Sequence, residues 1–240
     1  MDWTERGAKQ KAREWLLEQV PKKEIGWFRY TGLPAGEAIF EQMLYERINQ
    51  RKYYFRLYEK DSAICYDVNQ LLNKKWKNDY DRSCRVLNED IDAGILSELG
   101  TYDNEDLVWL DYCGPINPSH LSVIRNLLRV NKKGLLAVTF MAMRESSENT
   151  VLLNYLSDSF KERGLGGVEV GPESWTVLKR ARAISEVALS VAPKLEIKVL
   201  PYRDTVPMIL MTFKRCRGRA TIQIDPYLDY KNCGTESSDT

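Results

Sequence analysis

The chain has 240 residues and a mass of 27.8 kDa, and its 43% hydrophobic and 29% charged residues are typical of a globular protein rather than a disordered one. The 35 basic and 34 acidic side chains nearly cancel, which excludes a global field attracting nucleic acid or an anionic membrane, so any basic surface must be local. No apolar run approaches the roughly 20 residues that span a bilayer, and the first residues lack the apolar stretch of a signal peptide.

Cysteine and histidine content narrows the chemistry further. The five cysteines form no CxxC pair, and their odd number argues against both a disulfide framework and a zinc site. A single histidine, His120, argues against a histidine-based catalytic triad and a multi-histidine metal centre. We therefore expect a cytoplasmic protein without a metal site.

The first predicted element is an amphipathic helix over residues 4–19, within an N-terminal segment 1–24. Its apolar positions recur every three or four residues, and Thr4 is placed to cap its N-terminus. We expect this helix to pack on the edge of the main domain rather than to act as a separate recognition element.

Strands and helices alternate from residue 25 onward. The predicted strands are 25–30, 53–58, 84–87, 107–110, 135–141, 196–200 and 208–213. The predicted helices are 37–51, 62–77, 92–99, 118–130, 149–163 and 174–191. Asp61 or Ser62 is expected to cap the helix that follows the second strand.

This alternation predicts a parallel sheet with right-handed crossovers. The last two strands are joined by a connection too short for a parallel crossover, which needs about a dozen residues, so they should be antiparallel neighbours. We predict a doubly wound α/β domain over residues 25–220: a mostly parallel seven-stranded sheet, its last strand antiparallel, with helices on both faces. Residues 221–240 are expected to form a C-terminal extension and tail.

In open doubly wound sheets, ligands bind beyond the carboxyl ends of the strands. The loop after the first strand, TGLPAG, contains Gly32 and Gly36, which allow close approach to the main chain; a tight turn before a helix explains them as well. Glu59 directly follows the second strand, where a carboxylate can accept hydrogen bonds from a ribose diol. The alternative is a solvated surface acid.

Acids also follow the third and fourth strands. Asp90 is placed to accept a hydrogen bond from an adenine amine, while Asp92 could cap the next helix. Asp111 follows the apolar strand LVWL, where desolvation makes a carboxylate costly unless it is paired or used. It could accept a proton or hold a reacting amine, and the neighbouring Tyr112 can stack or hydrogen-bond. The alternative is that Asp111 only binds backbone amides of its own loop.

Over about residues 25–215 the chain resembles the class I S-adenosylmethionine-dependent methyltransferases. The resemblance rests on the acid after strand two, the acidic loop after strand three, DYCG after strand four and the closing antiparallel hairpin. That hairpin distinguishes the chain from nicotinamide-binding domains. The resemblance implies S-adenosylmethionine as cofactor and direct in-line methyl transfer.

The implied site follows the order of the strands. The first loop would approach the methionine part of the cofactor, through Thr31, Gly32, Leu33, Pro34, Ala35 and Gly36. Glu59 would bind the ribose, and Asp90 with Ile91 would flank the adenine. Asp111 and Tyr112 would border the transferable methyl and are the candidate catalytic residues.

The first loop departs from the family pattern DxGxGxG, because YTGLPAGE has Pro34 inside it and its acid, Glu37, only at the helix start. This loop is compatible with a divergent enzyme or with an inactive relative that serves as a binding scaffold. The sequence also lacks the [DNS]PP[YFW] and PC motifs of DNA methyltransferases, so Cys113 is interpreted as a packing residue.

Two basic clusters bear on the acceptor. The segment LKRAR contains Lys179, Arg180 and Arg182. The segment FKRCRGR contains Lys214, Arg215, Arg217 and Arg219. The second cluster could neutralise phosphates of RNA or DNA, so a nucleic acid acceptor is favoured over a small molecule or a protein. The alternative explanation of this cluster is structural: charged residues on an edge strand prevent aggregation. An NAD-linked oxidoreductase is a further alternative that the first loop and the hairpin do not favour.

Overall fold

The structure is a computed structural model. It describes residues 7–21, 26–34, 36–48, 52–76, 82–112, 114–142, 177–203, 205–226 and 228–229. The helices are α1 (Gly7–Gln19), α2 (Ile39–Arg47), α3 (Ser62–Lys75), α4 (Ile91–Ser97), α5 (Pro118–Val130) and α6 (Val177–Val191), with a 3₁₀ segment at Leu99–Asn104. The predicted helix over 149–163 and the predicted cap Thr4 lie outside the described residues.

All strands of the described residues belong to one sheet. They are β1 (Phe28–Gly32), β2 (Tyr53–Tyr58), β3 (Arg82–Leu87), β4 (Leu107–Asp111), β5 (Leu135–Met141), β6 (Leu195–Arg203), β7 (Pro207–Arg215), β8 (Thr221–Ile224) and β9 (Leu228–Asp229). Their order is β3-β2-β1-β4-β5-β7-β6-β8, and β9 also pairs with β6. Strands β1 to β5 are parallel, and β7 runs antiparallel to both β5 and β6. The predicted α/β class and antiparallel closing pair are confirmed.

The sheet has nine strands among the described residues rather than the predicted seven, and the antiparallel strand β7 is not the last of them. Strands β8 and β9 follow β7 and pair parallel with β6, so residues expected in a C-terminal extension add to the sheet. The reason is that β8 is a short edge strand whose four residues are all exposed, which leaves no buried face to mark it in the sequence.

The centre of the sheet is apolar because helices cover both of its faces. Strand β4 is buried at its first four positions and β5 at its first six, as expected for central strands. Helices α1, α2 and α3 pack on one face, and α4, α5 and α6 pack on the other. Strand order reverses between β1 and β4, so a crevice is expected beyond their carboxyl ends.

Helix α1 is part of the domain core. It packs Ala8, Ala12 and Leu16, each at most 3% exposed, into the cluster that also holds α2 and α3. The Trp15 indole N–H donates to a carboxylate oxygen of Asp225 at 2.6 Å, which ties the helix to the segment after β8. The predicted packing of this helix on the domain is confirmed.

No helix within the described ranges combines the length and the apolar character needed to cross a membrane.

Candidate functional site

A cavity of about 740 Å³ lies beyond the carboxyl ends of β1, β2, β3 and β4. This volume is within the range of small-molecule and cofactor sites, roughly 300–1,000 Å³. Most of the predicted site residues line it, namely Leu33, Pro34, Gly36, Glu59, Asp90, Ile91, Asp111 and Tyr112. The topology therefore brings the acids of three strand ends to one cavity.

The other predicted residues are placed differently. Ala35 lies outside the described residues. Thr31 and Gly32 are not in the cavity wall, and the Thr31 side chain is fully buried within β1. Gly32 is explained by packing, because a Cβ there would collide with the phenol hydroxyl of Tyr30. The Thr31 side chain therefore does not line the cavity, and Gly32 has no side chain to contribute.

Glu59 is fixed at the end of β2 by its own turn. One carboxylate oxygen accepts the backbone N–H of Asp61 at 2.9 Å, and its main-chain N–H donates to the Leu87 carbonyl at 2.9 Å. Asp61 in turn caps α3, which confirms one of the two predicted caps. The second oxygen of Glu59 has no hydrogen bond to any residue that the structure describes, so it can accept one from a ligand.

Asp90 caps α4, and the alternative that Asp92 caps this helix is wrong. One oxygen of Asp90 accepts the backbone N–H groups of Asp92 and Ala93 at 3.0 and 3.3 Å. Asp92 instead lies in the first turn, where it accepts a hydrogen bond from the Tyr112 hydroxyl at 2.7 Å. The cap uses only this oxygen, and Asp90 lines the cavity.

Asp111 forms an ion pair with Lys9 of α1, with 3.6 Å between the carboxylate and the ammonium nitrogen. The Lys9 side chain is 16% exposed and the Asp111 side chain 15%. The alternative that Asp111 only binds backbone amides of its own loop is therefore wrong, because Asp111 also pairs with Lys9. Because the ion pair lies in the cavity wall, a ligand there meets both charges.

The only histidine of the sequence also lies in this wall. The His120 and Tyr112 rings stack with centroids 3.8 Å apart and an angle of 15°, and Nε2 of His120 lies 3.9 Å from a carboxylate oxygen of Asp92. Burial lowers the pKa of His120, although the neighbouring carboxylates of Asp92 and Asp90 oppose this. Burial, with Asp92 beside it, raises the pKa of Tyr112 far above the usual value.

Sequence reasoning passed over His120, although its position contained a signal. Asn117 and Pro118 are typical of a helix start. His120 occupies the third helical position, where a side chain can complete a capping box. Asn117 accepts the His120 backbone N–H at 2.9 Å, and His120 Nδ1 accepts the Asn117 backbone N–H at 3.3 Å. This exchange holds the imidazole at the cavity.

Helix α1 contributes two cations that the sequence analysis did not assign to the site. Lys9 and Arg13 are four residues apart, so they lie on the same side of the helix, and both line the cavity. Arg13 is only 5% exposed. The available signal was that both residues flank the buried stripe of Ala8, Ala12 and Leu16.

Beneath the first loop lies a buried pair that was also not predicted. The Tyr30 hydroxyl donates to a carboxylate oxygen of Glu41 at 2.8 Å, and both residues are almost fully buried. Burial raises the pKa of Glu41 to about 7, opposed by the hydrogen bond from Tyr30 and by the charge of Arg13. Glu41 is thus partly protonated at neutral pH.

The basic cluster at the end of β7 lies far from the cavity. Lys214 is paired with Leu135, the first residue of β5, because β7 runs antiparallel. The cluster is therefore at the amino edge of the parallel strands, opposite the cavity. Arg215 donates to the Leu128 carbonyl at 2.6 Å, while Lys214, Arg217 and Arg219 are exposed. In the other cluster, Arg180 is buried and Arg182 is exposed.

No protein-family model matches the chain, and no curated protein matches it. Solved structures do. An S-adenosylmethionine-dependent methyltransferase from Agrobacterium tumefaciens matches 86% of this chain with a TM-score of 0.53 and 9% identity, and the chain spans 62% of that protein. A protein described as an rRNA methylase from Clostridium thermocellum matches 87% of this chain and 95% of its own length, with a TM-score of 0.50 and 10% identity.

A third structure carries a different description. A protein described as a zinc-dependent alcohol dehydrogenase from Rhodobacter sphaeroides matches 89% of this chain and 93% of its own length, with a TM-score of 0.53 and 13% identity. At identities this low, the likeness establishes the fold alone. The chain has the Rossmann-like fold of the class I methyltransferases.

Proposed function

We propose that the chain is an S-adenosylmethionine-dependent methyltransferase that binds its cofactor in the cavity beyond β1 to β4. The main support for this proposal is that Glu59, Asp90 and Asp111, from three different strand ends, line this one cavity. Carboxylates suit the hydroxyl and amine donors of a nucleoside and the positive charge of a sulfonium. The volume of the cavity and its carboxylate acceptors therefore fit this cofactor.

The residues of the wall have distinct roles in this proposal. Glu59 binds the ribose hydroxyls through its second carboxylate oxygen, and Asp90 with Ile91 flanks the adenine. Leu33, Pro34 and Gly36 border the methionine part, whereas Thr31 and Gly32 can contribute only backbone atoms because their Cβ positions face the core.

The cofactor, when bound, supplies a methyl group that is already activated by the sulfonium. The protein's main tasks are then to align the acceptor and to exclude water, and alignment alone can contribute on the order of 7–11 kcal/mol. Asp111 orients the acceptor or takes its proton, and Lys9 limits how freely that carboxylate moves. The Tyr112 hydroxyl is already bonded to Asp92, so Tyr112 acts through the position of its ring.

A nucleic acid acceptor bound through Lys214, Arg215, Arg217 and Arg219 remains part of the proposal, with a geometric condition. Strand β5 separates this cluster from the cavity, and its seven residues extend about 20 Å at roughly 3.3 Å per residue. RNA or DNA on the cluster must therefore be long enough to pass around the sheet edge. The described rRNA methylase with this fold is consistent with such an acceptor.

A small-molecule acceptor is the second candidate. The observation that favours it is that Asp111 lies in the cavity wall, at the opposite end of the parallel strands from the basic cluster. An acceptor that fits within the cavity needs no contact with the distant basic cluster. Arg217→Ala with Arg219→Ala should then leave methyl transfer unchanged, whereas a nucleic acid acceptor should bind more weakly and with less salt dependence.

Ligand-dependent thermal unfolding tests the cofactor. A ligand present at about 100 times its dissociation constant stabilises the folded state by roughly 2.7 kcal/mol. We expect the unfolding temperature to rise with S-adenosylmethionine and with S-adenosylhomocysteine, and not with NAD. A folded sample that responds to neither sulfur nucleoside would favour a non-catalytic scaffold, and a response to NAD alone would favour an oxidoreductase.

Transfer of a radiolabelled methyl group to pooled RNA, DNA, protein and metabolite fractions tests the reaction and identifies the acceptor class. Asp111→Asn should lower turnover about 10²–10⁴-fold if Asp111 takes a proton, with a smaller effect on cofactor affinity. Equal losses in turnover and affinity, or a collapse in stability, would make Asp111 a structural residue.

A further inference from the structure

Arg13 is a buried cation whose charge is only partly matched by the residues that the structure describes. Its side chain is 5% exposed, its Nε has no hydrogen-bond partner, and it forms no ion pair with any residue in the described ranges. Glu41 acts on it electrostatically, but burial raises the pKa of Glu41 to about 7, and its carboxyl also holds the Tyr30 hydroxyl. Among the described residues, the charge of Arg13 is therefore balanced only by this partly protonated carboxyl.

The position of Arg13 shows where the missing anion would lie. Arg13 lines the cavity and interacts electrostatically with Glu41 of α2, the helix that follows the first loop, which places it near the β1 end. Glu37 is exposed and makes no ion pair with Arg13. Lys9, one turn earlier on α1, adds a second cation that Asp111 already engages. A ligand group that approaches Arg13 from the cavity must therefore be an anion for the burial of this guanidinium to be favourable.

The first loop gives a reason for this arrangement. Its sequence, YTGLPAGE, has a proline at position 34, which has no backbone N–H, and Gly32 is used for packing against Tyr30. The loop thus offers a ligand fewer free amides than a run of glycines would. A guanidinium has five N–H donors in a fixed fork that matches a carboxylate.

We propose that Arg13 is the binding residue for the amino-acid carboxylate of the cofactor, so that helix α1 holds the end of the ligand that the first loop holds poorly. This inference rests on the proposed function. It makes α1 part of the cofactor site and assigns a specificity to it: the site selects a nucleoside that carries a carboxylate over the same nucleoside without one.

Calorimetric binding of two probes tests this assignment. The probes are S-adenosylhomocysteine and its decarboxylated analogue, which keeps the nucleoside, the sulfur and the amine. We expect the wild type to bind S-adenosylhomocysteine at least about tenfold more tightly, because a charge-assisted contact to a carboxylate is lost in the analogue. Arg13→Met should remove this difference by weakening S-adenosylhomocysteine only.

Two further variants separate the role of Arg13 from general effects on the helix. Arg13→Lys keeps the charge but loses the fork, so its preference for the carboxylate should be intermediate. Lys11→Met removes an exposed cation from the same helix and should bind both probes like the wild type. Circular dichroism verifies that each variant is folded, and the wild-type comparison needs no variant at all.

The contrary outcomes are distinct. Equal affinity of the wild type for the two probes, or equal weakening of both by Arg13→Met, would overturn the carboxylate site and leave the proposed function standing. Unchanged S-adenosylhomocysteine binding in Arg13→Met, with a raised KM for the acceptor, would assign Arg13 to the acceptor instead. Binding of neither probe by the wild type would overturn both the site and the proposed function.

Discussion

The carboxylate of Glu59 can be recognised as a ligand residue because its second oxygen is left over after the local structure is complete. The first oxygen stabilises the turn before α3 by accepting the Asp61 N–H, which is a structural role. At Asp90 the same division occurs, with one oxygen capping α4. Residues of this kind combine a structural and a binding role, so a substitution must be judged by which of the two it disturbs.

Glu59→Ala should therefore weaken S-adenosylhomocysteine binding about tenfold or more, since hydrogen bonds to charged groups contribute about 1.5–3 kcal/mol. The unfolding temperature should fall only slightly, because one exposed turn hydrogen bond is lost. Isothermal calorimetry measures the affinity, and Asp67→Ala, an exposed acid on α3, is the matched control. Unchanged affinity in Glu59→Ala would remove the ribose assignment.

Glu105 is the clearest case of a carboxyl whose burial should appear in pH-dependent stability. It is 2% exposed, and burial raises its pKa from 4.5 to about 7, against the opposing charges of Arg56 and Arg29. The folded state then binds more protons than the unfolded state between these values. Its contribution to stability is complete below about pH 4.5 and is lost as the pH rises through 7.

Glu105→Gln should become more stable relative to the wild type as the pH rises from 5 to 8, with a slope approaching about 1.4 kcal/mol per pH unit between the two pKa values. Urea unfolding at several pH values measures this difference. The comparison with Glu105→Gln is needed because His120, whose pKa is lowered, contributes with the opposite sign. A difference that does not change with pH would contradict the raised pKa.

At the scale of elements, the sequence predicted the features that depend on local pattern. The apolar runs of β4 and β5 and the Asp61 cap of α3 are visible in the sequence because burial and capping act through neighbouring residues. The choice between Asp90 and Asp92 as cap was not, because both positions suit a helix start. The apolar stripe of α1 shows that Lys9 and Arg13 flank its buried side, but that this side borders the cavity depends on tertiary packing.

The start of α5 combines a helix cap with part of the cavity wall, which makes it a test at this scale. Asn117→Ala should lower the free energy of unfolding by about 1 kcal/mol, within the range of roughly 0.5–2 kcal/mol for lost caps. It should also loosen His120, which the capping box holds. Chemical denaturation measures the first effect, and Ser119→Ala, exposed in the same turn, is the control. Equal stabilities of the two variants would contradict the capping box.

At the scale of the whole molecule, strand direction decides which charges can meet. The parallel strands β2, β3 and β4 bring their acidic ends to one edge, while antiparallel β7 carries Lys214 and Arg215 to the other. The short connection before β7 already predicted its direction, so the position of the basic cluster could have been inferred from the sequence. The strand order and the two small strands after β7 could not, since both depend on long-range pairing.

A crystal structure of the chain soaked with S-adenosylhomocysteine tests the cofactor site most directly. We expect the nucleoside across the carboxyl ends of β1 to β4, with its ribose at Glu59 and its adenine beside Asp90 and Ile91. Ligand density at any other place, or a Glu59 carboxylate directed away from the bound nucleoside, would contradict the proposed site.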